Sequence, residues 1–129
     1  MLVRMTSPDT LEKEFTLATA TARLDELRTR EALGDSPLGR EEALELLALT
    51  EVVACKAAYG SQLSIRTARA TGASWSQIGA ALGISKQSAW EAHTRWINEQ
   101  AANAGREGEI GWDAAEAADA RRMAGRAPE

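Results

Sequence analysis

The chain has 129 residues, which is enough for one domain with a substantial core and short for two well-stabilised domains. Alanine is abundant, arginine outnumbers lysine by 12 to 3 and only three residues are proline, so the composition predicts an all-α fold and is typical of a GC-rich bacterial genome. The net charge of −4 and the isoelectric point near 5.1 argue against a protein that coats nucleic acid through bulk electrostatics. Of the segments 1–34, 35–60, 61–100 and 101–129, only residues 61–100 are net positive, with four basic and two acidic side chains.

The single cysteine, Cys55, excludes an intrachain disulfide and a cysteine-rich metal site, and we expect it to be a small core residue. The first ten residues lack the apolar segment of a secretory signal. No run of the sequence approaches the ~18 apolar residues that cross a bilayer. We therefore expect a cytoplasmic protein that does not associate with membranes.

The first part of the chain is predicted to form one long helix over residues 8–33. Ser7 is a suitable N-cap, Pro8 suits the first helical turn and Gly34 ends the helix. The apolar residues of this segment fall on two opposite faces, so the helix needs two packing partners. Residues 35–39 then have the composition of a turn.

A second long helix is predicted from Arg40 to about Ala70. Between residues 43 and 59 it is apolar on most of its circumference, so we expect it to be the central buried rod. The Gly60-Ser61 pair leaves two possibilities open: a continuous helix, or a break after which residues 62–71 begin a three-helix unit. Residues 1–60 are predicted to be a helical dimerisation and support region, with homodimer contacts through residues 8–60.

The segment SWSQIGAALGISKQSAWEAHTRW, residues 74–96, has the spacing of two short helices joined by a tight turn. Ser74 with Gln77 three residues later forms a capping-box pattern that predicts the start of the first helix. Gly83 predicts its end in a left-handed conformation, and Ser85 is placed to cap the second helix from Lys86 onward. The turn is therefore about three residues long.

Small residues allow the two helices of this segment to approach closely. Gly79 and Ala89 are predicted to supply that closeness, since helices in such a pair cross near 90 to 120 degrees. The apolar seam is predicted to consist of Ile78, Leu82, Ile84, Ala92 and Trp96.

WSQIGAALGISKQSAWEAH resembles the helix-turn-helix of many small bacterial regulators and the DNA-binding end of serine recombinases. In both, an isoleucine followed by glycine or alanine precedes a leucine-glycine corner and a serine-basic start. The resemblance covers residues 61–97 and implies sequence-specific binding of double-stranded DNA, with base-reading residues on the second helix. It does not extend to recombination, because the other residues show no catalytic domain of the required size.

The expected DNA contacts follow from projecting the second helix at ~100 degrees per residue. The outward residues, expected to read bases, are Gln87, Trp90, Glu91 and Thr94. The residues expected to contact phosphates are Arg66, Arg69, Ser74, Ser76, Ser85, Lys86 and Arg95. His93 is expected on the core side. A monomer with so few cations would bind DNA weakly. A homodimer that contacts two half-sites is therefore predicted.

The fold expected is therefore all-α, with long helices packed around a helix-turn-helix over residues 61–104. A mobile tail, residues 105–129, is expected to follow, either largely disordered or with a short helix from Asp113 to about Ala124 that Trp112 docks on the body. GREGEIG at 105–111 is interpreted as a linker, not a phosphate loop.

No combination of residues predicts a catalytic, metal or cofactor site, so no enzymatic activity is expected. The alternative to a DNA-binding transcriptional regulator is an acidic, antitoxin-like adaptor that uses the same fold to bind an unidentified protein partner. Acidity, Glu91 and exposed tryptophans favour the adaptor, whereas the capped helices and local positive charge favour DNA.

Overall fold

The computed structural model describes residues 6–34, 37–103 and 112–129, and all regular secondary structure in these ranges is α-helical. The helices are α1 (Pro8–Glu14), α2 (Leu17–Leu33), α3 (Arg40–Ala70), α4 (Trp75–Leu82), α5 (Lys86–Ala102) and α6 (Ala114–Ala124). None of these helices is long and apolar enough to cross a bilayer. The chain divides into two compact units, Met1–Gly60 and Ser61–Glu129. The second unit therefore includes the last part of α3 and all of α4, α5 and α6.

The predicted single helix over residues 8–33 is wrong, because α1 ends at Glu14 and α2 begins at Leu17. Phe15 is extended, with φ −116° and ψ 141°. Thr16 then caps α2: its hydroxyl accepts a hydrogen bond from the Thr19 amide, and its own amide donates to the Thr19 hydroxyl. This capping box satisfies amides at a new helix start, and it replaces the continuous helix that periodicity alone predicts.

The first unit has a core in which α1 and α2 pack against one face of α3. Its buried members are Leu11, Ala20, Leu27, Leu46, Ala48, Leu49 and Val52. At the edge of this core, Arg23 donates two hydrogen bonds of 2.8 Å to the Glu45 carboxylate, and these contacts raise the pKa of the guanidinium.

The expectation that α3 is buried on most of its circumference is only partly correct. Leu44 and Leu47 are 50% and 65% exposed, and Cys55 is also exposed, contrary to its predicted place in the core. The reason is that α1 and α2 contact the stripe of α3 that carries Leu46 and Leu49, about one half-turn away from these residues. The Gly60-Ser61 pair does not interrupt α3.

The second unit has its own core, built from the last part of α3, α4, α5 and α6. Its buried members are Ile65, Trp75, Ile78, Ala89, Trp96, Ile97, Trp112, Ala120 and Ala124. The short helix predicted in the tail is present as α6, with Asp113 as its N-cap and Trp112 buried beneath it. The interpretation of residues 105–111 as a linker lies outside the described residues.

Candidate nucleic-acid interface

The α4–turn–α5 segment has the caps that its sequence predicts. The Gln77 amide donates to the Ser74 hydroxyl over 3.1 Å, and the Ser74 amide donates to the Gln77 side-chain oxygen over 2.8 Å. Gly83 ends α4 with φ 74° and ψ 26°, the left-handed region that glycine adopts without strain. Ser85 caps α5 by accepting from the Ser88 amide. Both helices therefore start with an ordered, capped first turn.

Gly79 brings α4 into direct backbone contact with the turn. A Cβ atom at this position would lie 2.8 Å from the Ile84 carbonyl oxygen and 3.0 Å from the Lys86 amide nitrogen. Both Gly79 and Ala89 are buried, as predicted. Only glycine at position 79 fits this arrangement without displacing backbone atoms.

The predicted apolar seam is correct for Ile78 and Trp96, but not for Leu82 and Ile84. These two side chains are 41% and 44% exposed. The corner between the helices is instead formed by the backbone contact between Gly79 and the turn. Ala92 is half-buried. The turn thus presents two apolar side chains to solvent.

The side of α5 that carries Gln87 and Glu91 is exposed. The Gln87 side-chain amide donates a hydrogen bond of 2.9 Å to the Glu91 carboxylate. The side chains predicted at the rim of this region are exposed as well: Ser74, Ser76, Ser85, Lys86 and Arg95. We call the exposed residues of α4, the turn and α5 the α5 surface.

Trp90 and Thr94 do not belong to this surface, although both are predicted to read bases. Trp90 is half-buried, and its indole N–H donates to the Gly125 carbonyl over 3.1 Å. The Thr94 hydroxyl is buried and has no hydrogen-bond partner among the described residues. The helical projection misplaces them because it omits α6, which packs along this side of α5.

Arg66 and Arg69, predicted as phosphate contacts, are engaged inside the second unit. The Arg69 guanidinium donates to the carbonyls of Met123 and Ala73, over 2.9 and 3.0 Å, and lies 5.2 Å from the ring centre of Trp75. The Arg66 guanidinium lies 4.8 Å from the ring centre of Trp112. These contacts hold the unit together, so the structure does not bring either arginine to the α5 surface.

Three side chains from three helices bind the carboxyl end of α6. Arg69 of α3 donates to the Met123 carbonyl, Trp75 of α4 to Ala124 and Trp90 of α5 to Gly125. The last carbonyls of a helix lack intrahelical partners, and these donors satisfy three of them in succession. We call this arrangement the α6 clasp. The sequence indicates it only indirectly, because all four tryptophans lie in residues 61–129 and three of them are outside the predicted seam.

His93 is a buried structural residue of α5, as its predicted core position indicates. It is 2% exposed, its Nδ1 atom lies 2.9 Å from the Gln62 side-chain oxygen, and its ring stacks on Trp96 at 5.6 Å between centres. Burial, together with the smaller effect of the charges of Arg66 and Arg69, lowers the pKa of His93 to about 4. The imidazole is therefore neutral near pH 7.

No protein-family model, curated protein or solved structure matches the chain. Its function is therefore inferred from the residues of the α5 surface. That surface combines a backbone-packed turn, two capped helix starts, a linked amide and carboxylate, and two exposed cations.

Proposed function

We propose that this protein binds double-stranded DNA sequence-specifically in the bacterial cytoplasm, as a dimeric transcriptional regulator with a helix-turn-helix formed by α4 and α5. The observation that carries the proposal is the exposed amino-terminal half of α5, held against α4 by the contact at Gly79. A helix presented in this way fits the major groove, and residues in its first turns reach base edges.

Gln87 is the principal base reader in this proposal. An amide side chain recognises adenine by donating to N7 and accepting from N6. Its nitrogen carries two hydrogens, so Gln87 can keep its hydrogen bond to Glu91 and still donate to N7. Glu91 therefore fixes the orientation of Gln87, and its second carboxylate oxygen is available to the N4 amine of a neighbouring cytosine.

The phosphate contacts are assigned to the exposed rim of the α5 surface. Ser74 and Ser76 lie at the amino end of α4, and Ser85 with Lys86 at that of α5, where backbone amides and the helix dipole favour anions. Arg95 lies two turns further along α5. Since Arg66 and Arg69 are engaged elsewhere, Lys86 and Arg95 are the cations left from the predicted set.

So few phosphate contacts favour a homodimer on two half-sites about 34 Å apart. The first unit offers an apolar surface for this contact: Leu44 and Leu47 are largely exposed and line a groove of about 410 Å³ that also includes Pro8. A dimer doubles the number of phosphate contacts and with it the dependence of affinity on salt.

The proposal is tested by selecting binding sites from random duplex DNA with the parent protein, Gln87→Ala, Glu91→Ala and Arg95→Ala, with exposed Arg28→Ala of the first unit as control. We expect one enriched sequence for the parent and for Arg28→Ala. Gln87→Ala should lose discrimination at one position, at a cost of about 1–3 kcal/mol. Arg95→Ala should weaken all sites alike and lower the salt dependence. A parent that enriches no sequence and shows no salt-dependent binding contradicts the proposal.

A second candidate function is an antitoxin-like adaptor that binds a protein partner through the same surface. The exposed Leu82 and Ile84 at the turn favour it, because adjacent apolar side chains are suited to protein contacts. The two candidates differ in whether the parent and the variant Leu82→Ser with Ile84→Ser bind DNA. The regulator should retain its DNA preference in this variant, whereas an adaptor binds no DNA in either form.

A further inference from the structure

Helix α6 and the residues after it have an asymmetric charge distribution. The acidic residues Asp113, Glu116 and Asp119 come first, three arginines, Arg121, Arg122 and Arg126, come after them, and Glu129 follows. This order complements the helix dipole, but Arg126 lies beyond the end of α6, where the dipole alone does not account for it.

The packing of α6 on α5 places its two ends differently with respect to the α5 surface. The Trp112 amide donates to the Gln100 carbonyl near the end of α5, whereas the Gly125 carbonyl accepts from Trp90 near its start. The two helices are therefore antiparallel. The acidic end of α6 lies beside the end of α5, and the basic end lies toward the half of α5 that carries Gln87.

The α6 clasp holds this basic end in place. Three donors bind the carbonyls of Met123, Ala124 and Gly125, and Gly125 is the residue immediately before Arg126. Trp90, which binds Gly125, is three residues from Gln87, a rise of about 4.5 Å along α5. Arg126 therefore directly follows a residue that is bound by a side chain of the base-reading half of α5.

The three arginines are exposed, in contrast to Arg66 and Arg69. Arg121 donates one hydrogen bond of 3.2 Å to the Asn98 side chain on the exposed side of α5, and Arg122 forms an ion pair with Asp119. A guanidinium has five N–H donors, so these contacts leave others available. An exposed ion pair contributes little stability, and a phosphate can replace the carboxylate.

We propose that Arg121, Arg122 and Arg126 form a second phosphate-binding strip that contacts the DNA backbone beside the groove occupied by α5. The occupant is the phosphate backbone of the same duplex, because Trp90 ties the Arg126 end of the strip to the base-reading half of α5 and the charge of the strip is complementary. The inference rests on the proposed function and adds that arginines on and after α6 contact the same duplex. It gives the second unit cations that replace Arg66 and Arg69 in DNA binding.

The test compares two double variants with the same change in charge: Arg122→Gln with Arg126→Gln, and Arg28→Gln with Arg40→Gln in the first unit. Arg121 is left intact because of its hydrogen bond to α5. Affinities for the selected site and for a random duplex are measured over a series of salt concentrations. The α6 double variant should lower the slope of log affinity against log salt by about 1.8 per bound chain, since each phosphate contact contributes about 0.9. The preferred sequence should not change.

Equal slopes for the two double variants, with a parent that binds DNA, overturn this inference and leave the proposed function intact. A parent that binds no duplex contradicts the proposed function, and the inference with it. Should the double variant unfold, Arg126→Gln alone serves, because it lies outside α6; its expected decrease in slope is about 0.9 per chain. If Arg126→Gln and the parent have equal slopes of log affinity against log salt, the proposed phosphate-binding strip is also overturned.

Discussion

The contact between Gly79 and the turn predicts opposite results for the same substitution at two helical glycines. In Gly79→Ala, the added methyl group would lie 2.8 Å from the Ile84 carbonyl oxygen and 3.1 Å from the Ser85 carbonyl carbon. These neighbours are backbone atoms, so the turn has to move as a whole. At Gly60, within α3, an added Cβ has no neighbour within 4 Å among the atoms considered.

Two effects decide the sign of the change in stability. Alanine is favoured over glycine inside a helix by about 1 kcal/mol. Overpacking against atoms that cannot move aside costs about 1–3 kcal/mol. We expect Gly79→Ala to lower the free energy of unfolding by about 1–2 kcal/mol, because contact with backbone lies at the upper end of that range. Gly60→Ala should raise it by about 0.5–1 kcal/mol.

Urea unfolding followed by tryptophan fluorescence and by circular dichroism measures both changes. All four tryptophans lie in residues 61–129, so fluorescence reports on the unit that contains Gly79. Gly79→Ala should also weaken binding to every DNA site, because the start of α5 moves with the turn. A Gly79→Ala protein at least as stable as the parent refutes the close contact. A destabilised Gly60→Ala protein refutes the comparison of the two sites.

Three further predictions test other parts of the structure. Arg69→Ala should destabilise the second unit by about 2–3 kcal/mol, because it removes two charge-assisted hydrogen bonds. The control Arg28→Ala should change stability by less than about 0.5 kcal/mol. Equal effects of the two variants in urea unfolding contradict the stabilising role of Arg69. Since burial lowers the pKa of His93 to about 4, protonation of this residue does not reduce the free energy of unfolding above pH 6.5. Between pH 6.5 and 4 it lowers that free energy by up to about 3 kcal/mol. The variant His93→Gln should lose that part of the pH dependence. Parallel plots of the free energy of unfolding against pH for the two proteins argue against this role of His93. Leu47→Asp should dissociate the proposed dimer in sedimentation experiments, whereas the equally exposed Leu33→Asp should not; a dimer unaffected by Leu47→Asp removes this face from the interface.

Local sequence signals predict the α4–turn–α5 segment well, because each acts over three or four residues. Ser74 with Gln77, Gly83 and Ser85 form their caps irrespective of the rest of the chain. The same local chemistry at Thr16 and Thr19 shows why helical periodicity gives one helix over residues 8–33 where the structure has two. A capping box with threonine in both positions is a weaker signal than one with serine and glutamine, and apolar periodicity continues across it.

Long-range contacts explain why four of the predicted site residues lie away from the α5 surface. A helical projection places Thr94 and Trp90 outward because it considers one helix alone, and the packing of α6 on that side is not encoded in the spacing of α5. Arg66 and Arg69 are four and one residues before the end of α3, and a sequence gives no distance from them to Trp112 or Met123. Trp112 and Met123 lie more than 40 residues from these arginines.

These corrections change the electrostatic basis of the proposed DNA binding. Residues 61–129 contain eight basic and eight acidic side chains, so bulk charge does not attract this unit to DNA. Binding must then depend on where the cations lie, and the fold separates those of the described residues into three groups, the first being Lys86 and Arg95 on the α5 surface. Arg66 and Arg69 stabilise the core of the second unit, while Arg121, Arg122 and Arg126 are exposed beside α5. Arg69 is part of the α6 clasp and so helps to position Arg121, Arg122 and Arg126, to which we assign the phosphate contacts predicted for Arg69. Removing α6 should therefore impair folding and DNA affinity together, whereas neutralising its exposed arginines should impair affinity alone.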